Sequence, residues 1–355
     1  MNPDDVHNRM IKMASMVGRK PLLLRFIKLI FVARRDKRLI QKYHNIEFKT
    51  PVGLAAGFDK NGEIIPAINA IGFGFGTVGS VTGRHCDGNP RPWFYRLPKT
   101  KSLIVNAGLG NIGSSLIIKR IRNLSKRLIN DFPIVLSVAK TNSADVTDDQ
   151  TSLEDYILSI KRAKNEKNIK LIELNISCPN AFGGEQFTTP ERLKMLLIAV
   201  DEIKLQKPVL IKMPINLSWA DTKALLDVIV KHNVVGVTIG NLAKDRSKAD
   251  LKDVLPDTVK GNMSGRPTWD LSNELIRKTY LGYGDKIIII GVGGIFTAED
   301  AYKKIRLGSS LVELISGMIF YGPQLVAEIN DGLSRLLKRD GFTHISQAIG
   351  VDAKK

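Results

Sequence analysis

The stretch Leu171-Ile-Glu-Leu-Asn-Ile-Ser-Cys-Pro-Asn180 decides the fold. Leu171–Ile176 is a short, mostly apolar run closed by a proline–asparagine turn, as expected of a strand covered on both faces. Longer helical patterns flank it, Ser152–Lys164 before and Pro190–Lys204 after, so it reads as one strand-plus-helix unit. Working outward, the same unit recurs at Val52–Ala56, Phe75–Val81, Ile134–Ala139, Val209–Met213, Val235–Ile239, Ile287–Val292 and Leu311–Ile315. Ile117–Leu128 and Trp219–Lys231 supply further crossover helices. Eight such units predict an α/β fold, a (β/α)8 TIM barrel. A doubly wound open sheet would want Gly-x-Gly-x-x-Gly after its first strand, and none is there.

Composition agrees with a globular chain: 43% of the 355 residues are apolar and 25% are charged. No apolar run approaches the ~20 residues that span a bilayer. Two distant cysteines, Cys86 and Cys178, exclude a disulfide framework and a paired-cysteine metal site, so no metal is expected. With no cleavable signal peptide in view, a reducing cytoplasmic setting is the expectation.

The net charge of +18 favours polyanionic neighbours, either nucleic acid or an anionic membrane face, although scattered lysines also suit solvated helix surfaces. Residues 1–45 carry 11 Lys/Arg against Asp4, Asp5 and Asp36. Asp4 or Asp5 can cap a first helix bearing Val6, Met10, Met13 and Met16; Gly18 breaks it, and Pro21 suits the start of a second. There Leu22, Leu23, Phe26, Leu29, Ile30 and Val32 crowd one side, with Arg25, Lys28, Arg34 and Arg35 on the rest. Such a helix can lie in a membrane interface or pack on its own domain.

In a barrel, chemistry sits where strands end. After the first strand, Ala56 and Gly57 allow close approach of a flat ligand, and Lys60 follows as a cation at the mouth. After the fourth, alternation sets Glu173, Asn175 and Ser177 on one side, and Cys178 stands between two asparagines, Asn175 and Asn180, as a candidate nucleophile or general base. Lys212 ends the fifth strand, either buried against a partner or facing the barrel centre, where it suits electron-rich flavin atoms. Gly240-Asn241 ends the sixth. Gly293-Gly294 after the seventh and Ser316-Gly317 after the eighth form the pair of loops that commonly binds phosphate.

Together these segments resemble dihydroorotate dehydrogenase over about residues 3–330. The resemblance rests on Ala55-Ala-Gly-Phe-Asp-Lys-Asn-Gly-Glu63, Gly88-Asn-Pro-Arg-Pro-Trp-Phe-Tyr-Arg-Leu97, Asn175-Ile-Ser-Cys-Pro-Asn180, Met263-Ser-Gly-Arg-Pro267 and Gly291-Val-Gly-Gly-Ile295. The Gly-Asn-Pro-Arg-Pro segment and the basic helical pair are similar to the quinone-reducing, membrane-associated class. The resemblance implies FMN, oxidation of (S)-dihydroorotate to orotate in pyrimidine (UMP) biosynthesis, and reoxidation by quinone. It implies Cys178 as the base that takes the C5 proton while the C6 hydride leaves to the flavin. Lys60, Asn106, Ala107, Gly108, Leu109, Asn175, Asn180 and Asn241 would hold the substrate. Ala56, Gly57, Lys60, Ser80, Ser137, Asn175, Lys212, Gly240, Gly265, Gly293, Gly294, Ser316 and Gly317 would hold FMN.

This chain departs from that class at several points. Cys178 stands where the quinone-linked class carries serine; Val105 occupies the place of a substrate asparagine, with Asn106 one residue later. Ser137, Leu242 and Ile315 replace an asparagine, a hydroxyl residue and a tyrosine. The expected organisation is residues 1–45 as quinone and membrane helices, 46–335 as the FMN barrel and 336–355 as a tail, on the cytoplasmic face of a membrane. Two alternatives stay open. One is a flavin barrel with another substrate or acceptor, such as a tRNA-uridine reductase, which shares the Asn-x-x-Cys-Pro strand end but carries a further helical domain. The other is a non-catalytic barrel that binds membrane or nucleic acid.

Overall fold

The computed structural model describes residues 2–32, 36–125, 132–181, 184–185 and 187–354. Eight parallel strands close into a barrel: β3 (Val52–Leu54), β4 (Phe75–Val81), β7 (Ile134–Val138), β8 (Ile169–Asn175), β9 (Val209–Met213), β10 (Gly236–Ile239), β12 (Ile288–Val292) and β13 (Leu311–Leu314). β13 pairs with β3 and β9 with β10, so no edge is left open. Helices between them include α3 (Ile65–Ala70), α4 (Ser114–Arg122), α5 (Asp149–Ala163), α6 (Pro190–Glu202), α7 (Trp219–Ile229), α8 (Trp269–Tyr283) and α9 (Ala298–Arg306). The expected helix Ile117–Leu128 begins earlier, at Ser114, and its last three positions lie outside the described residues.

Strand limits differ from the sequence expectation mainly at the mouth. The fourth run ends at Asn175 rather than Ile176, because the Asn175 side chain accepts the Ser177 backbone N–H and turns the chain out of the sheet. The first strand stops at Leu54 and the eighth at Leu314, as the backbone turns into the loops that build the site.

The barrel is filled in layers. At its base, Phe48, Phe75, Val135, Leu171, Leu210, Ile290 and Leu311 form one apolar cluster. Phe48 arrives on a hairpin, β1 (Gln41–Tyr43) and β2 (Ile46–Phe48), whose two-residue turn has His44 and Asn45 both at positive φ. Phe48 meets Phe75 edge-on at 5.3 Å, and Gln41 donates to the Ser310 carbonyl, so the hairpin plugs the barrel floor. The boundary expected after residue 45 therefore falls inside this plug. Above the apolar layer, Thr77, Ser137, Glu173, Lys212, Thr238 and Glu313 are all buried. The site lies above them.

A second sheet, β5 (Phe94–Leu97), β6 (Ser102–Val105) and β11 (Asn262–Met263), is antiparallel and stands over the mouth. The strand-and-helix repeat does not predict it. Against this side lie α1 (Pro3–Gly18) and α2 (Pro21–Phe31). Asn2, not Asp4 or Asp5, caps α1. Asp4 is instead buried, accepting the Trp93 backbone N–H at 3.0 Å and facing Arg91 at 3.4 Å. Val6, Met10, Met13, Met16, Leu22, Leu23, Phe26, Leu29 and Ile30 are exposed, while Leu24 is buried. Arg34 and Arg35 lie outside the described residues. Among the described residues no helix is long and apolar enough to cross a membrane.

After α10 (Ser316–Tyr321), α11 (Leu325–Arg339) runs through the boundary expected at 335/336. The segment beyond is packed rather than loose: Ile345, Ala348 and Ala353 are buried, and Arg306 binds Asp352 through two nitrogens, at 2.8 and 2.9 Å.

Candidate active site

Five polar side chains from four strand ends form one network across the mouth. The Asn175 amide donates to Ser80 Oγ at 2.8 Å, and Ser80 Oγ lies 2.9 Å from Ser137 Oγ. Asn175 Oδ1 accepts the Ser177 hydroxyl at 2.9 Å, and Asn241 donates to Ser177 Oγ at 2.6 Å. Tyr156 fixes the strand end from behind by donating to the Asn175 carbonyl at 2.6 Å. Ser80 can approach because Gly79 precedes it at φ +119°; a Cβ there would lie 2.5 Å from the Ser137 carbonyl. Lys212 pairs in register with Asn175 and Thr238, which points it into the barrel rather than outward, and it is buried.

Cys178 follows the turn that ends β8. It lines a crevice of about 10 Å³ with Lys140, Tyr156, Leu109 and Phe187, room for about one water. Burial pushes its thiol up to about 11; the Asn180 backbone N–H and the Lys212 charge pull the other way. The thiol therefore keeps its proton at neutral pH, and the surrounding donors and cations are what favour the thiolate.

On the far side of the mouth, five asparagines meet. Asn89 donates to Asn106 Oδ1 at 2.9 Å and to the Asn180 carbonyl at 3.1 Å. Asn180 donates to the Val105 carbonyl at 3.0 Å and accepts from Asn262 at 2.8 Å. Asn142 donates to the Gly108 carbonyl at 2.9 Å, holding the Asn106-Ala107-Gly108-Leu109 loop beside Cys178. The displaced asparagine is thus still gathered with Asn180, because the Asn89 side chain bridges them.

Lys60 is the most telling cation. Its Nζ is buried with no hydrogen-bond partner among the described residues and lies 5.2 Å from the Trp93 ring and 5.1 Å from the Phe94 ring. Burial, then the Arg91 charge, lowers it to about 8. The Asp4 and Asp59 charges offset this cost only in part, and an anionic ligand would relieve the rest. It lines a cavity of about 550 Å³ between α1 and the barrel mouth, with His7, Ile11, Met16, Phe58 and Trp93. His7 is wedged between Phe58 and Phe94; burial and the Lys60 and Arg91 charges lower it to about 3, so it is neutral.

The glycines named from sequence converge at the opposite edge. A Cβ on Gly293 (φ +103°) would meet Thr268 Oγ1 at 2.4 Å, and one on Gly317 would meet the Ile295 carbonyl at 2.3 Å. Gly265, Gly294, Gly240 and Gly57 also hold positive φ. Ser316 Oγ lies 3.1 Å from Ser264 Oγ. This gives a backbone-lined cradle that side chains would fill. Ile315 would be the nearest neighbour of a Cβ on Gly57, and Leu242 carries its backbone contacts to Asn241 and Asn216.

Sequence reasoning missed Asn89, Asn262 and Tyr156. Asn89 sits in the quoted Gly-Asn-Pro segment, where its polarity was a usable signal; Asn262 and Tyr156 carry no local pattern. Among the described residues, no cluster of His, Cys, Asp or Glu could hold a metal ion.

The dihydroorotate dehydrogenase family model matches residues 38–337. A protein from Sulfurovum sp. (strain NBC37-1) named dihydroorotate dehydrogenase (quinone) is 36% identical over 336 residues, covering 94% of this chain and 90% of its own. One of the same name from Deinococcus deserti is 33% identical over 365 residues, covering 99% and 97%. A crystal structure of DHODH from Eimeria tenella in complex with ferulenol superposes with a TM-score of 0.87 at 26% identity, covering 99% of this chain and 96% of that one. With the barrel, the layered interior and the family match over most of its length, this chain belongs to the dihydroorotate dehydrogenase family.

Proposed function

We propose that this protein oxidises (S)-dihydroorotate to orotate with FMN and passes the electrons to a membrane quinone, in pyrimidine biosynthesis. The observation that carries the reading is the buried, unpartnered Lys60 ammonium at a mouth already lined by Asn106, Asn175, Asn180 and Asn241. The substrate is a small anion rich in amide groups, and a buried ammonium at a mouth that also presents asparagine amides suits it.

The residues fit FMN. Gly265, Gly293, Gly294, Ser316 and Gly317 form a cradle for its phosphate end, and Ala56, Gly57 and Gly240 leave space for a flat ring. Ser80, Ser137, Asn175 and Lys212 would supply it with hydrogen-bonding groups and one positive charge. When bound, FMN supplies the two-electron acceptor. Cys178 would accept the substrate proton, and Lys60 would hold the carboxylate. Asn106 and Asn180 orient the amide edges, with Ala107, Gly108 and Leu109 closing over it.

The exposed apolar face of α1 and α2, edged by Arg25 and Lys28, supports a peripheral seat on an anionic membrane. The cavity beneath α1 runs past His7, Ile11 and Met16 to Lys60 and Phe58, and would offer a quinone a route to the site. The reading is tested by incubating purified protein with dihydroorotate and a soluble quinone analogue. Equimolar orotate and quinol support it; flavin-loaded protein that makes no orotate contradicts it, and turnover with a nicotinamide acceptor contradicts the quinone part.

A further inference from the structure

Two carboxylic acids are sealed inside the barrel between its apolar floor and the site. Glu173 on β8 and Glu313 on β13 are each 1% exposed. Each has one oxygen satisfied by a threonine: Thr77 donates to Glu313 at 2.5 Å, and Thr238 donates to Glu173 at 2.7 Å. The other oxygen of each, Glu173 Oε1 and Glu313 Oε2, is buried without a donor among the described residues. Buried polar atoms in native proteins are nearly always paired, so two orphaned carboxyl oxygens in one sealed layer call for a cause. Among the described residues the layer holds one cation, Lys212 on β9. No ionisable side chain faces Glu313 from β3 or β12, its two hydrogen-bonded neighbours.

Charge balance sets the answer. One ammonium neutralises one carboxylate; a second carboxylate in a dry interior has no counter-charge and keeps its proton instead. We propose that Glu173 and Glu313 share a single proton through their unpartnered oxygens, and that this acid pair is a positioning element that sets the charge Lys212 presents to the flavin above it. In this arrangement Glu313 O–H is donor and Glu173 carboxylate acceptor, and with Lys212 the layer is neutral. Loss of the proton makes it carry one net negative charge. Desolvation and the Glu173 charge push Glu313 up to about 8, with Lys212 and the Thr77 hydrogen bond opposing, so that loss falls just above neutrality. Reduction of a flavin adds negative charge beside Lys212 and is opposed by the ionised layer.

The inference rests on the proposed flavin reading only for its consequence, so the test has two arms. In the holoenzyme at neutral pH, the infrared spectrum should contain a buried protonated-carboxyl band that Glu313→Gln removes. Glu173→Gln should remove it too, because Glu313 then faces Lys212 alone and ionises. A wild-type spectrum without the band, or one unchanged by both variants, overturns the shared proton whether or not flavin is bound. In the second arm, the flavin midpoint potential is titrated against pH. The wild type should show an added downward inflection near pH 8, and Glu313→Gln should lack it while keeping its flavin. Superimposable curves overturn the link to the flavin. If Glu313→Gln fails to fold, Glu173→Gln carries both arms. Protein that folds, shows the band and binds no flavin sinks the functional reading alone.

Discussion

Asn175 and Ser80, 95 residues apart in sequence, meet at 2.8 Å across the barrel mouth. Neither position is remarkable in isolation. Their contact exists because parallel strands β4, β7 and β8 run side by side in fixed register, and because Asn175 is the last residue of its strand. From that contact the rest of the network follows: Ser137 on one side, Ser177 and Asn241 on the other.

Cys178 holds its proton at neutral pH, so proton abstraction should accelerate as the medium becomes alkaline. The rate of substrate-dependent flavin reduction is predicted to rise about tenfold per pH unit toward the thiol value near 11. Cys178→Ala should lower that rate by ~10²–10⁴-fold with flavin retained. A flat pH profile in the wild type removes Cys178 from the base role.

Lys60 is charged below about pH 8 and neutral above it. Substrate affinity should therefore weaken as pH rises through 8, with KM climbing while turnover at saturation changes less. Lys60→Met should raise KM by ~10-fold or more at neutral pH, since a hydrogen bond to a charged group is worth ~1.5–3 kcal/mol. The check is KM against pH for both proteins.

Gly293→Val places atoms against Thr268 in a backbone conformation that β-branched residues avoid. The variant should purify with little flavin, read as the ratio of flavin to protein absorbance, while circular dichroism reports the same barrel. Full flavin content would show that this loop is not the cradle.

The basic helices should be separable from the barrel, but the cut matters. Deleting residues 1–45 would destroy half of the hairpin that plugs the floor, including the Gln41 bond to Ser310. Deleting 2–32 leaves the plug intact. It should abolish quinone reduction and binding to anionic vesicles while sparing reduction of the flavin by substrate. Added salt should weaken vesicle binding of the full chain by screening its lysines and arginines. Vesicle binding unaltered by the deletion would contradict the assignment.

The barrel was legible because buried parallel strands are written as apolar runs punctuated by glycine and asparagine, and each run here carries its own stop signal. The positions of Cys178, Asn180 and the Gly293-Gly294 loop at strand ends were legible for the same reason: a strand end has a fixed place in the repeat. The floor plug was not, because a hairpin of three-residue strands has too little periodicity to announce itself, and only Phe48 meeting Phe75 gives it a role. Asp4 misled as a helix cap, since its burial depends on Trp93 and Arg91 arriving from far along the chain. Alternation grouped Glu173 only with Asn175 and Ser177 of its own strand and gave Glu313 no signal; only closure of the barrel places both in one layer with Lys212.

The most direct test of the account is anaerobic reduction of the bound flavin. Purified protein is mixed with dihydroorotate in the absence of any acceptor, and a quinone analogue is added afterwards. The account predicts rapid bleaching of the flavin band by dihydroorotate and its return on adding the quinone. A flavin band that persists through the addition of dihydroorotate would contradict the proposed substrate.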